Sequence, residues 1–87
     1  MSERLKRRIE RDFREPGSAT EVSRLVGEAS DSERVQAAIV FVASGDLGLL
    51  RNAIALAKAD WRDVLVAGEL ADDDWPQRLF AVLGGTP

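Results

Sequence analysis

Between Ser30 and Leu83 the chain gives a helix-start signal four times, and nearly every segment between those signals is apolar. Ser30, Asp46, Asp60 and Asp74 each carry a side-chain oxygen that can accept from the free amides of a first helical turn. Caps alternating with short apolar runs restrict the chain to short helices packed on one another. The segment from Val35 to Ala43 constrains the fold most, because it is apolar on nearly every side. A helix without a wet face belongs at the centre of a core. Its β-branched residues also suit a buried strand, but a capping box at Ser30 and Glu33 and the length of the run favour a helix over about 33–44.

The other segments arrange themselves around that helix. Leu5, Ile9 and Phe13 recur every four residues and predict a first helix from about Ser2 to Glu15, ended by Pro16 and Gly17. Ser18 with Glu21 reads as a second capping box, followed by Val22, Leu25 and Val26 facing inward. Gly45 suits a left-handed helix end, and Asp46 caps the next helix at once. Leu47, Leu50, Ile54 and Ala57 share one face of it, with Leu49, Ala53 and Leu56 on the adjoining face. Asp60 caps a partner helix whose inner face carries Trp61, Val64, Leu65 and Gly68, which makes a helical hairpin over about 46–69. Asp74-Trp75 repeats Asp60-Trp61, suggesting an aspartate cap with a tryptophan closed over the helix entrance in both places. Pro76 fits a first helical turn. Leu79, Phe80, Val82 and Leu83 complete a sixth helix, and residues 84–87 form a flexible tail. The expected architecture is an all-α compact bundle of five to six short helices.

With 87 residues the chain is read as a single helical domain, 1–87, burying roughly 60% of its unfolded surface. It has no cysteine, so helix packing alone must stabilise it. Its longest apolar run, Ala37 to Ala43, is far shorter than the roughly 20 residues a bilayer requires. No membrane association is expected, and the cytoplasm is the expected compartment.

Residue types exclude several chemistries. Without histidine, cysteine or tyrosine, Ser-His-Asp and Cys-His machinery is impossible, and zinc or copper would lack their favoured ligands. Asp72-Asp73-Asp74 has acids enough for a hard cation but not the spacing of a calcium loop, and its composition is better suited to capping. No catalytic, cofactor or metal site is expected.

Two polar features stand out. Met1 to Glu15 holds six basic and four acidic residues, against six basic and eleven acidic in the remainder. Arg4, Arg7, Arg8, Arg11 and Arg14 form a basic face on the first helix, opposite Leu5, Ile9 and Phe13. That face could follow phosphates on a nucleic acid. Pairings at i, i+4 (Glu3 with Arg7, Arg8 with Asp12, Glu10 with Arg14, Arg11 with Glu15) favour a solvated helix laced with weak ion pairs instead. The second feature is the wet side of the hairpin, where Arg51, Lys58 and Arg62 form a possible interaction surface.

Arg34-Val35, Ala38-Ile39, Gly45-Asp46-Leu47, Leu50, Ala57, Asp60-Trp61-Arg62-Asp63-Val64-Leu65 and Ala67 to Glu69 resemble a group of short bacterial all-helical proteins with no established function. The resemblance spans roughly Glu33 to Leu70 and rests mainly on caps and core positions, so it implies a fold more than an activity. The expected function is that of a small non-enzymatic interaction or regulatory module that binds an unidentified protein partner or self-associates. A nucleic-acid-associated regulator using the first helix is the alternative.

Overall fold

The first helix ends sooner than its stripe predicts, at Asp12 rather than Glu15, because Phe13 leaves helical dihedrals, at φ −118° and ψ 84°, with its side chain buried in the core. It is the first of six helices in the computed structural model, which describes residues 1–84. They are α1 (Glu3–Asp12), α2 (Ser18–Ala29), α3 (Glu33–Ala43), α4 (Leu47–Ala59), α5 (Trp61–Ala67) and α6 (Trp75–Leu83). No strand occurs among the described residues, and no helix among them is long and apolar enough to cross a membrane. Residues 85–87 of the expected tail lie outside the described residues.

α3 is the central helix. Each of the other five helices packs against it, and every residue from Val35 to Val40 is buried. Gln36 is the polar member of that run, and its amide donates to the Ser30 carbonyl at the end of α2, so burial leaves it satisfied. α4 and α5 form the hairpin and pack on α3 and on each other. Asp60 joins them: its amide closes α4 on the Leu56 carbonyl, and its carboxylate accepts from the Arg62 amide at 3.0 Å to open α5. The Cα radius of gyration, 11.6 Å, matches the roughly 12 Å of a compact globule this long.

Three caps differ from those read in the sequence. Ser32, not Ser30, opens α3 by accepting from the Val35 amide. Ser30 instead ends α2, and its hydroxyl accepts from the Ser32 amide at 3.0 Å. Ser18 does not cap α2 either; Gly17, left-handed at φ 79°, holds that position without a side-chain bond, and Glu21 pairs with Arg24. Asp74 accepts no capping bond and pairs with Arg78 at 3.1 Å, so the two Asp-Trp pairs are built differently. Asp46 does cap α4, accepting from the Leu49 amide at 3.0 Å.

Glu33 is freed for a different task. Arg4 grips it with two bonds, Nε to Oε2 at 2.8 Å and Nη2 to Oε1 at 2.7 Å, while the Ser2 hydroxyl donates to the same carboxylate. This fastens the start of α1 to the start of α3 and buries Arg4, which is 8% exposed. The hydrogen bond and charge of Arg4, with help from Ser2, lower the Glu33 carboxyl below its ordinary pKa. A depressed folded-state pKa contributes stability that is complete above the unfolded carboxyl's range, about pH 4, and is lost as pH falls through the folded value. Glu33→Gln is therefore expected to cost about 1–2 kcal/mol at neutral pH. Its deficit relative to the parent chain should shrink below about pH 4 in urea unfolding series; a constant deficit at all pH values would contradict the pairing.

Gly68 sets the distance between α5 and α3. A Cβ there would lie 2.8 Å from the Ala38 Cα and 3.0 Å from the Ala38 carbonyl oxygen, so only glycine fits. With Gly68 committed to close contact, the left-handed residue of the helix end falls on Glu69, at φ 62°. The amide of Leu70 reaches the Leu65 carbonyl at 2.8 Å and that of Glu69 the Val66 carbonyl at 3.1 Å, the paired bonds of a Schellman motif. Leu65 and Leu70, both buried, supply its apolar contact.

Several apolar residues of α4 and α6 are outside. Phe80 and Val82 are exposed because α6 packs only on α1 and α3, which cover the Leu79 stripe alone. Leu47 and Leu49 are exposed in the first turn of α4, where Leu50, Ala53 and Ala57 form the buried face.

Candidate functional site

An open cleft of about 420 Å3 lies where the end of α2, the start of α3, the end of α4 and the start of α5 meet. Trp61 forms one wall and is 53% exposed, contrary to its expected place in the core. The face it occupies is the one read from the sequence, since Leu65, one turn on, lines the same cleft. Ala29, Ser30, Ser32 and Ala57, all with short side chains, line the cleft with Trp61, together with Arg34 and Val35. The small residues that line the cleft with Trp61 come from α2, α4 and the turn between α2 and α3, a juxtaposition no local pattern reports.

Arg34 closes one end of this cleft and is held firmly. Its Nε donates to the Leu70 carbonyl at 2.8 Å, its Nη2 to the Ala71 carbonyl at 3.1 Å, and its guanidinium lies 4.9 Å from the centre of the Trp75 ring. The start of α3 is thereby tied to the loop before α6. Arg62 folds back over the Trp61 ring at 5.7 Å and reaches Asp60 at 3.5 Å, so it flanks the indole on the solvent side. Among the described residues the cleft lining holds no carboxylate. It is suited to contact, through an aromatic face, two hydroxyls and a fixed cation.

The three hairpin residues are not gathered at one feature. Arg62 stands beside Trp61, and Lys58 is exposed in the last turn of α4, where its charge favours the helix dipole. Arg51 lines a separate groove of about 320 Å3 with Pro16, Leu25 and Leu47.

The basic face of α1 is divided. Arg4 is buried on Glu33; Arg8 pairs with Asp12 at 2.8 Å and lies 5.1 Å from the centre of the Phe41 ring. Of the four i, i+4 pairings expected, Arg8 with Asp12 forms, while Glu3 turns to Lys6 and Arg11 to Asp12. Arg14 lies beyond the helix end and donates to the Arg11 carbonyl. Arg7 and Arg11 remain exposed on the helix. Asp72, Asp73 and Asp74 do not belong to any gathering of acidic groups that could hold a metal ion among the described residues.

Compared with known protein families, with curated proteins and with solved structures, the chain matches none.

Proposed function

We propose that the chain is a small non-enzymatic interaction module that grips a partner protein through the Trp61 cleft. It works in this reading in a bacterial cytoplasm, among the short helical proteins that share the Gly45-Asp46-Leu47 and Asp60 to Leu65 pattern. The observation that carries it is a tryptophan left 53% exposed at a cleft that it lines together with the small side chains of Ala29, Ser30, Ser32 and Ala57. An indole is large, rigid and costly to leave in water, and such residues dominate binding energy where a partner covers them. The occupant that suits the cleft is a partner segment with one apolar side chain to lie on the indole and backbone groups to meet Ser30 and Ser32.

Trp61→Ala is expected to keep the fold, because the side chain packs into no core, while weakening partner binding by about thirtyfold. The check is affinity capture from host lysate with the parent chain and the variant side by side, with molar mass measured on each. Loss of the captured protein in the variant, or a dimer that becomes a monomer, agrees with the proposal. A monomeric parent chain that captures nothing, or equal capture by both, contradicts it.

The nucleic-acid alternative has less to stand on. Arg4 and Arg8 are committed within the fold and Arg14 has left the helix, which removes the continuous track of charge that phosphate backbones favour.

A further inference from the structure

Arg34 is the charged residue in the lining of the Trp61 cleft, half-buried there, and it pairs with no carboxylate among the described residues. Its holders are neutral: the Leu70 and Ala71 carbonyls take Nε and Nη2, and the Trp75 ring lies against the guanidinium. Nη1 donates to nothing among the described residues. A cation partly withdrawn from water is stabilised by pairing with a carboxylate. The serines of the lining also have donors to spare. Ser30 Oγ accepts from the Ser32 amide at 3.0 Å and Ser32 Oγ from the Val35 amide at 3.4 Å, while neither hydroxyl donates among the described residues. The Ser30 carbonyl is taken too, by the Gln36 side-chain amide. An ionised carboxylate, which only accepts, complements such a set. Resting on the reading of this cleft as a contact surface, we propose that it captures the C-terminus of a partner chain. The terminal carboxylate meets Arg34 Nη1 and the two serine hydroxyls, and the last side chain, an apolar one, lies on Trp61, Val35 and Leu65.

Geometry favours a chain end over an internal acid. In an extended segment successive side chains point to opposite faces, so an acidic residue and its apolar neighbour do not enter one cleft together. A terminal residue carries its carboxylate and its side chain on the same Cα. The cleft likewise sets its donors and its apolar wall in one space, lined by residues between Ala29 and Leu65. Arg34 is held by its bonds and by the Trp75 ring, so little of its side-chain freedom is lost on binding. The carboxylates next to lining residues in the chain are drawn elsewhere: Glu28 to Arg24 at 2.9 Å, Glu33 to Arg4 at 2.7 Å and Asp60 to Arg62 at 3.5 Å. Asp31, exposed between the two serines, is screened by water.

The test titrates the full chain with N-acetyl-Gly-Gly-Phe as the free acid and as the C-terminal amide, with N-acetyl-Gly-Gly-Gly free acid, and with N-acetyl-Gly-Glu-Gly-Phe amide. Binding is followed by NMR through the Trp61 indole and Arg34 Nε signals. The phenylalanine free acid is expected to bind saturably and to shift both signals. Its amide, which lacks the charge, and the glycine acid, which lacks the apolar side chain, should each bind at least about tenfold more weakly. Trp61→Ala, checked for helix content, should weaken the free acid at least about tenfold. Arg51→Gln, in a separate groove, should bind as the parent does. Equal binding of the acid and its amide, both lost in Trp61→Ala, would overturn the terminal carboxylate while leaving the Trp61 contact in place. The glutamate peptide binding as tightly as the free acid would overturn it in favour of an internal acidic segment. A free acid that never saturates, or that binds Trp61→Ala equally well, would overturn it as well; capture from lysate that depends on Trp61 then decides the contact surface by itself.

Discussion

Gly68→Val is expected to abolish cooperative unfolding near room temperature, and Gly68→Ala to lower stability by about 2–3 kcal/mol. The cause is contact between backbones. An added Cβ meets the Cα, Cβ and carbonyl oxygen of Ala38 at 2.8, 2.9 and 3.0 Å, and none of these is the end of a flexible side chain that can swing aside. Relief requires α5 to move off α3, which uncovers Val64, Leu65 and Leu70 together. In a domain this small the total stability is near the low end of about 5–15 kcal/mol, so the bulkier valine removes most of it. Gly27 provides the control: it lies within α2 with nothing inside 4 Å of its added Cβ. Gly27→Ala should gain about 0.5–1 kcal/mol from helix propensity. Urea unfolding of the three variants distinguishes the causes, and a Gly68→Ala chain as stable as its parent would refute the close approach.

Ile39→Ala is expected to cost about 2–5 kcal/mol. Ile39 is fully buried at the middle of α3, the helix that touches every other, so the cavity it leaves cannot be filled by moving one neighbour. For a domain of this size each kcal/mol lowers the thermal midpoint by about 4–8 °C, so the change is easily read by circular dichroism. Val66→Ala, on the exposed side of α5, should shift stability by no more than about 0.5 kcal/mol. Equal losses from the two substitutions would mean that α3 is not the centre of the core.

Both effects trace to residues whose roles were partly visible in the sequence. The unbroken apolar run of α3 announced a central helix, and the caps Asp46 and Asp60 marked the hairpin where it forms, because those signals are local and each is satisfied within a turn. Gly68 was legible as an inward residue, but not its approach to Ala38, thirty positions away in the chain. Ser30 and Glu33 had the spacing of a capping box, yet Glu33 is claimed by Arg4 from α1 and Ser30 by the turn that ends α2. A long-range partner outcompeted a local one. Arg4 looked wet by its charge and is dry because that same partner neutralises it. The candidate site was legible to a lesser degree: Trp61 was read as inward and is 53% exposed, because whether a face is covered depends on what packs against it. Phe80 and Val82 show the same limit, since helical spacing gives a stripe and not the number of helices available to cover it.

Amide hydrogen exchange resolved by residue tests most directly the claim that the fold is assembled around α3. The slowest amides should be those of Ile39, Val40 and their neighbours, exchanging only when the whole chain unfolds, while α6, docked on α1 and α3 through Leu79, opens earlier and exchanges faster. Protection in α6 equal to that of α3, or an α3 that exchanges while α1 and α2 stay protected, would contradict it.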